Sequence, residues 1–151
     1  MSYVMGIDVG TTNIKALVIN ENGEAIAFAK RSSLFQNFEG RNAYECHSFW
    51  ENICQLIKET TARMRERGAS PKELCGIAVA SMGEMGFPVG KKDAIFPAIS
   101  WYDLCSVRYW EQLCDRISLE RQVKITGQKI IHIFSVAKLM WLKAEYPRIY
   151  D

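Results

Sequence analysis

Asp8, Gly10, Thr11, Thr12 and Lys15 fall within one short stretch, Gly6-Ile7-Asp8-Val9-Gly10-Thr11-Thr12-Asn13-Ile14-Lys15. Their types suit one task, the binding of an anion with a hydrated divalent cation beside it. Gly10 lets the backbone come close, so that the turn can offer several N–H groups to one anion, and Thr11 and Thr12 add two hydroxyls. Asp8 can hold Mg²⁺ through water, because that ion sheds its shell reluctantly. Lys15 can neutralise a phosphate as a point charge. Acid, amide-rich turn, hydroxyls and base together make a kit for a metal-bound nucleotide phosphate. The elements that position it are two apolar runs, Tyr3 to Val9 and Ile14 to Ile19, which read as the arms of a hairpin with the Gly-Thr-Thr turn between them.

The stretch is not a P-loop, which needs a longer glycine-rich loop leading into a helix and ending in Gly-Lys-Ser/Thr, and it lacks the dinucleotide fingerprint. It is similar to the first phosphate motif of the actin-like ATPase superfamily, which includes sugar kinases, actin and chaperone ATPases.

The chain has 151 residues, enough for one domain, or one piece of one, with a real core. Hydrophobic residues at 48% and charged ones at 24% match globular domains. The net charge of +2 gives no electrostatic case for nucleic acid or a membrane surface. Asp8 and the polar turn interrupt any signal peptide, and no apolar run is long enough to span a bilayer, so the expected location is cytoplasmic. Five cysteines, at 46, 54, 75, 105 and 114, include no Cys-x-x-Cys pair. With only His47 and His132 beside them, reduced and mostly core thiols are expected rather than a zinc site or a catalytic thiol.

Beyond the first hairpin, Asn20 to Glu24 is a polar turn with Gly23 suited to the left-handed region, and Ala25 to Arg31 reads as a third strand. Ser32 to Cys46 shows no period and is expected to be a loop. Ser48 and Glu51 have the spacing of a capping box. Phe49, Trp50, Ile53, Leu56, Ile57, Thr60 and Met64 follow at helical spacing as a core stripe, and Gly68 stops the helix. Ser70-Pro71-Lys72-Glu73 signals a single turn, and Leu74 to Ala80 has the profile of a buried parallel strand. Phe87 to Val89 and Ala94 to Phe96 flank a polar turn, as in a second hairpin. Asp103 is a good N-cap for a helix through Ile117 with Val107, Trp110, Leu113 and Cys114 on one face. Ser118 can cap a short helix closed by Thr126-Gly127. A last helix over 135–145 is expected to bury Leu139, Met140 and Leu142 before Pro147. No internal repeat, low-complexity tract or linker is apparent.

Four landmarks in order make the chain, from about residue 3 onward, resemble the amino-terminal part of the FGGY carbohydrate kinases. They are the Gly6–Lys15 stretch; Gly76-Ile77-Ala78-Val79-Ala80-Ser81-Met82-Gly83-Glu84; Pro97-Ala98-Ile99-Ser100-Trp101-Tyr102-Asp103; and Ile125-Thr126-Gly127 with Phe134 to Leu142. The resemblance implies an α/β protein of the actin-like ATPase (ribonuclease H-like) fold, here an incomplete first domain with a mixed sheet and flanking helices. It implies ATP-dependent phosphorylation of a sugar, polyol or sugar acid. Asp8 would serve Mg²⁺ through water, and Gly10, Thr11, Thr12 and Lys15 the phosphates of ATP. Glu84, Trp101 and Asp103 would bind the sugar, the indole packing a C–H face and the carboxylates accepting from hydroxyls. Glu84 matches the acid of glycerol kinase's Arg-Glu pair, but Gly83 replaces the arginine. Ile133 stands where that enzyme has a tyrosine, and the Met-His of xylulokinase-like members is missing. These departures argue against glycerol kinase and leave the sugar open.

Family members are far longer. The resemblance therefore implies that the catalytic aspartate and the second domain lie beyond residue 151, and that this chain alone is inactive or nearly so. A non-catalytic sugar- or partner-binding module is the alternative from another class. An exposed apolar surface is expected, and with it a tendency to self-associate as a homo-oligomer.

Overall fold

The computed structural model describes residues 1–150, which divide into two compact units. The first comprises residues 1–35 and 45–82, the second 36–44 and 83–150.

In the first unit, strands β1 (Tyr3–Val9), β2 (Asn13–Asn20) and β3 (Ala25–Ser32) form the expected antiparallel meander. Gly23 takes φ 79° in the β2–β3 turn, where the Asn20 side chain accepts from the backbone of Asn22 and Glu24. Alternation along β1 buries Tyr3, Met5, Ile7 and Val9 under helix α1 (Cys46–Glu66). Ile14, Ala16 and Val18 of β2, with Ala27 and Ala29 of β3, complete that face. Strand β6 (Leu74–Ser81), entered through a 3-10 turn capped by Ser70, pairs parallel with β1 at the edge of the sheet, giving the order β3-β2-β1-β6.

Several details depart from the sequence expectations. Helix α1 begins earlier than a Ser48 cap would allow. Glu45 is the N-cap, its carboxylate accepting from the His47 and Ser48 amides, and the Ser48 hydroxyl donates to the same carboxylate. Within the helix Trp50 is 63% exposed, and the polar Asn52 takes the buried place, accepting from Arg31 and donating to the Ser32 carbonyl. Strand β6 is parallel but not buried; Ile77 and Val79 are 58% and 65% exposed because α1 packs over β2 and β3 and stops short of the edge strand.

In the second unit, the expected loop contains a hairpin. Strands β4 (Gln36–Phe38) and β5 (Arg41–Tyr44) are joined by Glu39-Gly40, both at positive φ, a two-residue mirror-image turn with glutamate where asparagine is usual. Strand β7 (Ala98–Ile99) extends this small sheet in the order β4-β5-β7. Between Phe87 and Phe96 one antiparallel bridge, Val89 to Ala94, replaces the expected hairpin arms. Asp103 does cap, but what it caps is a 3-10 turn, Leu104–Ser106, that leads into helix α2 (Val107–Arg116). On that helix Tyr109 is the buried residue, while Val107, Trp110, Leu113 and Cys114 are half-buried. Helix α3 (Leu119–Thr126) has Ser118 as its cap and Gly127 at φ 77° as its stop. Helix α4 (Ser135–Glu145) buries Ala137, Trp141 and Leu142 and leaves Leu139 exposed, and α5 (Pro147–Tyr150) follows. The core here is aromatic: the Phe96 ring meets Phe38, Tyr146 and Trp141 edge-on, with centroids 5.1, 4.7 and 6.1 Å away.

The cysteines are free. Four are half-buried and Cys75 is exposed, so they are not the core thiols expected. No described helix is long and apolar enough to cross a membrane.

Candidate functional site

The residues expected on the phosphate side lie at the β1–β2 turn. Gly10 donates its N–H to the Asn13 carbonyl at 3.1 Å, closing the turn. A Cβ on Gly10 would lie 2.9 Å from that carbonyl oxygen and about 4 Å from the Asp8 carboxylate, so glycine is required by close approach. The turn is also braced from the side. Ser33 donates its hydroxyl to the Gly10 carbonyl at 2.7 Å and its N–H to the Thr12 carbonyl at 3.0 Å. Ser33 is fully buried and lies far along the chain, which is why sequence spacing did not point to it.

Antiparallel register sets Asp8 opposite Lys15, and the ammonium donates to the carboxylate at 3.0 Å. Both side chains are about half exposed, so the pair is worth at most about 1 kcal/mol and an arriving phosphate and cation could separate it at small cost. Among the described residues no group of three or more His, Cys, Asp or Glu could hold a metal alone. A single exposed carboxylate would hold Mg²⁺ through the ion's waters rather than in a protein cage. All five residues expected on the phosphate side thus fall on one hairpin.

The residues expected to bind the sugar lie in the other unit. Glu84 is held at φ 57°, a left-handed conformation that costs a residue with a Cβ roughly 1–2 kcal/mol. Its Oε2 accepts from the Ser135 N–H at 2.5 Å and the Ser135 hydroxyl at 2.8 Å, so the carboxylate caps the N-terminus of α4, where Phe134 provides no side-chain cap. Its carbonyl accepts from Lys138 Nζ at 2.8 Å. Burial lowers the proton affinity of the Lys138 ammonium, and Cys105, Glu84 and Asp103 pull it back up.

Asp103 accepts from Arg41 at 2.9 Å and from the Cys105 N–H at 2.8 Å. Burial, then the charge and hydrogen bond of Asp103, push the Cys105 thiol up to about 12, so this sulfur stays protonated and is no nucleophile. Trp101 stacks edge-on against Tyr102, whose hydroxyl accepts from Asn42. Glu84, Ser135 and Lys138 line a cavity of about 380 Å³ walled by Phe87, Phe96 and Trp141. That volume suits a small ligand, with few polar groups on an apolar surface. Trp101 and Asp103 are not on its wall. Arg41 and Lys138 were missed by the sequence reading. Lys138 had a signal, being a cation within the apolar run Val136 to Leu142; Arg41 had none, since its partners Asp103 and Trp141 are distant in sequence.

Residues 3–151 match the model of the FGGY family of carbohydrate kinases, N-terminal domain. The chain is 23% identical over 155 aligned residues to the L-fuculokinase of Haemophilus influenzae, covering 100% of this chain and 33% of that protein. It is 27% identical over 156 to the xylulose kinase of Lactococcus lactis, covering 100% and 30%. Among solved structures, the glycerol kinase of Plasmodium falciparum with ADP superposes with a TM-score of 0.84 at 17% identity, over 99% of this chain and 30% of that one. The chain thus spans about a third of the length of these relatives. The shared architecture is the actin-like ATPase fold, a mixed sheet with flanking helices. The chain belongs to the FGGY family of carbohydrate kinases.

Proposed function

We propose that this chain is the amino-terminal portion of the first domain of an ATP-dependent kinase that phosphorylates a hydroxyl of a sugar, polyol or sugar acid. The observation that carries the proposal is the β1–β2 turn. There an acid, a lysine, two threonines and a glycine that tolerates no Cβ share one hairpin, in a chain whose family is that of carbohydrate kinases. In this reading Gly10, Thr11 and Thr12 line the phosphates, Lys15 neutralises them and Asp8 orders the water shell of Mg²⁺. Glu84, Trp101 and Asp103 take the sugar.

Phosphoryl transfer is chiefly positioning and charge stabilisation around in-line oxygens. The sugar oxygen bonds to the γ-phosphorus as the bond to ADP breaks, and the hydroxyl proton passes to a carboxylate. We assign that carboxylate, with the remainder of the first domain and a second domain, to sequence outside these residues. The chain alone would then turn over little or nothing. Its match to only about a third of each relative supports this division.

A second reading, a sugar- or partner-binding module without catalysis, draws on the apolar sheet residues left exposed, Phe28, Ile77 and Val79 among them. Coupled ADP release separates the two, measured with fuculose, xylulose, glycerol and gluconate on this chain and on a family-length protein carrying it. Turnover by the longer protein alone is expected. Turnover by neither, with sugar still bound in calorimetry, would favour the binding module.

A further inference from the structure

Glu84 is held from two directions by one turn of helix. Ser135, the first residue of α4, binds its carboxylate through both N–H and hydroxyl, and Lys138, three residues on, binds its carbonyl. These bonds fix a residue in the left-handed region that a free glutamate rarely occupies. Both of these bonds to the carboxylate go to Oε2, on a side chain that lines the 380 Å³ cavity. Lys138 lines the same cavity and is half-buried, so its ammonium is poorly hydrated and depends on the Glu84 carbonyl and on the neighbouring charges of Glu84 and Asp103.

We propose that Lys138, with Ser135, is the positioning residue of the sugar site. It locks the Glu84 backbone so that Oε2 stays on α4 and Oε1 is presented to a hydroxyl of a polyol ligand. The proposal rests on the sugar-kinase reading of this cavity. It gives the Glu84 carboxylate two roles at once, helix cap and acceptor, and makes the geometry of the acceptor depend on a lysine that needs no ligand contact. Ordering an acceptor before the ligand arrives spares the ligand that cost.

The test uses this chain with Lys138→Met, Lys138→Arg and Ser135→Ala, followed by amide hydrogen exchange and by calorimetric titration with fuculose, xylulose, glycerol and gluconate. First-turn amides of a helix have no intrahelical acceptor, so protection of the Ser135 N–H reports the Glu84 carboxylate directly. Lys138→Met should speed Ser135 exchange about tenfold and weaken the sugar that binds by about tenfold, while the Trp141 amide, deep in the same helix, keeps its protection. Lys138→Arg should restore most of both. Ser135→Ala, at an exposed position that spares the fold, should weaken the same sugar several-fold, and it decides the matter if Lys138→Met does not fold. Unchanged Ser135 exchange in a folded Lys138→Met overturns the proposal. So does faster exchange with unchanged sugar affinity, which would leave Lys138 a purely structural residue. No sugar binding by the unaltered chain would count against the sugar-site reading itself, while Ser135 exchange would still decide whether Lys138 holds Glu84.

Discussion

At Gly10 the chain has no room for a Cβ: 2.9 Å from a backbone carbonyl is closer than a carbon can sit, and the Asn13 carbonyl cannot withdraw without giving up the Gly10 N–H. Gly10→Ala should therefore destabilise the first unit by about 1–3 kcal/mol, read as a lower midpoint in urea unfolding, and distort the turn that Ser33 braces. A midpoint within error of the unaltered chain would show that the turn relaxes freely and would weaken the case for a rigid phosphate cradle. The residues of this turn were legible in sequence because they are neighbours, so that spacing alone implies proximity. Ser33, Arg41 and Lys138 act across 23 to 62 positions, and no local pattern announces such partners. Asp103 was legible as a cap, and the Cys105 N–H on its carboxylate agrees; its ion pair with Arg41 was not.

Helix α1 illustrates what an element's own sequence conceals. Its apolar stripe and its Gly68 stop are readable, yet its start was misplaced, because Ser48 and Glu51 imitate a capping box while Glu45 performs the capping. The Ser48 and His47 backbone N–H groups, then the Ser48 hydroxyl, hold the Glu45 carboxyl down to about 2, below its ordinary 4.5. A depressed carboxylate stabilises the folded state above its unfolded value and loses that contribution as pH falls through its folded value. Glu45→Gln should therefore lower the melting temperature at neutral pH, and the gap to the unaltered chain should close as pH falls from 4.5 towards 2. A gap that stays constant to pH 2 would remove the carboxylate from the cap. The hairpin β4–β5 escaped notice for a related reason: its Glu39-Gly40 turn uses a residue that seldom adopts positive φ.

For the molecule as a whole, the actin-like fold was readable from four short landmarks in order, whereas surface exposure was not. Leu74 to Ala80 looks like a buried strand because both of its faces are apolar, yet β6 is the last strand in the order β3-β2-β1-β6 and is exposed. Val4, Leu17 and Phe28 share the sheet face opposite α1, and Ile77 and Val79 lie beyond the reach of that helix. Such an edge and face associate in water. Sedimentation of this chain at rising concentration should show self-association, reversed by Phe28→Lys with Val79→Lys; a clean monomer at high concentration would contradict that. The central claim, that the β1–β2 turn holds the metal-bound phosphates of ATP in a sugar kinase, is tested most directly by Asp8→Ala in the family-length protein, with ADP release and sugar affinity measured side by side. Turnover should fall at least about a hundredfold while sugar affinity stays within about twofold. Equal loss of both, or turnover unchanged, would remove Asp8 from the metal and phosphate role.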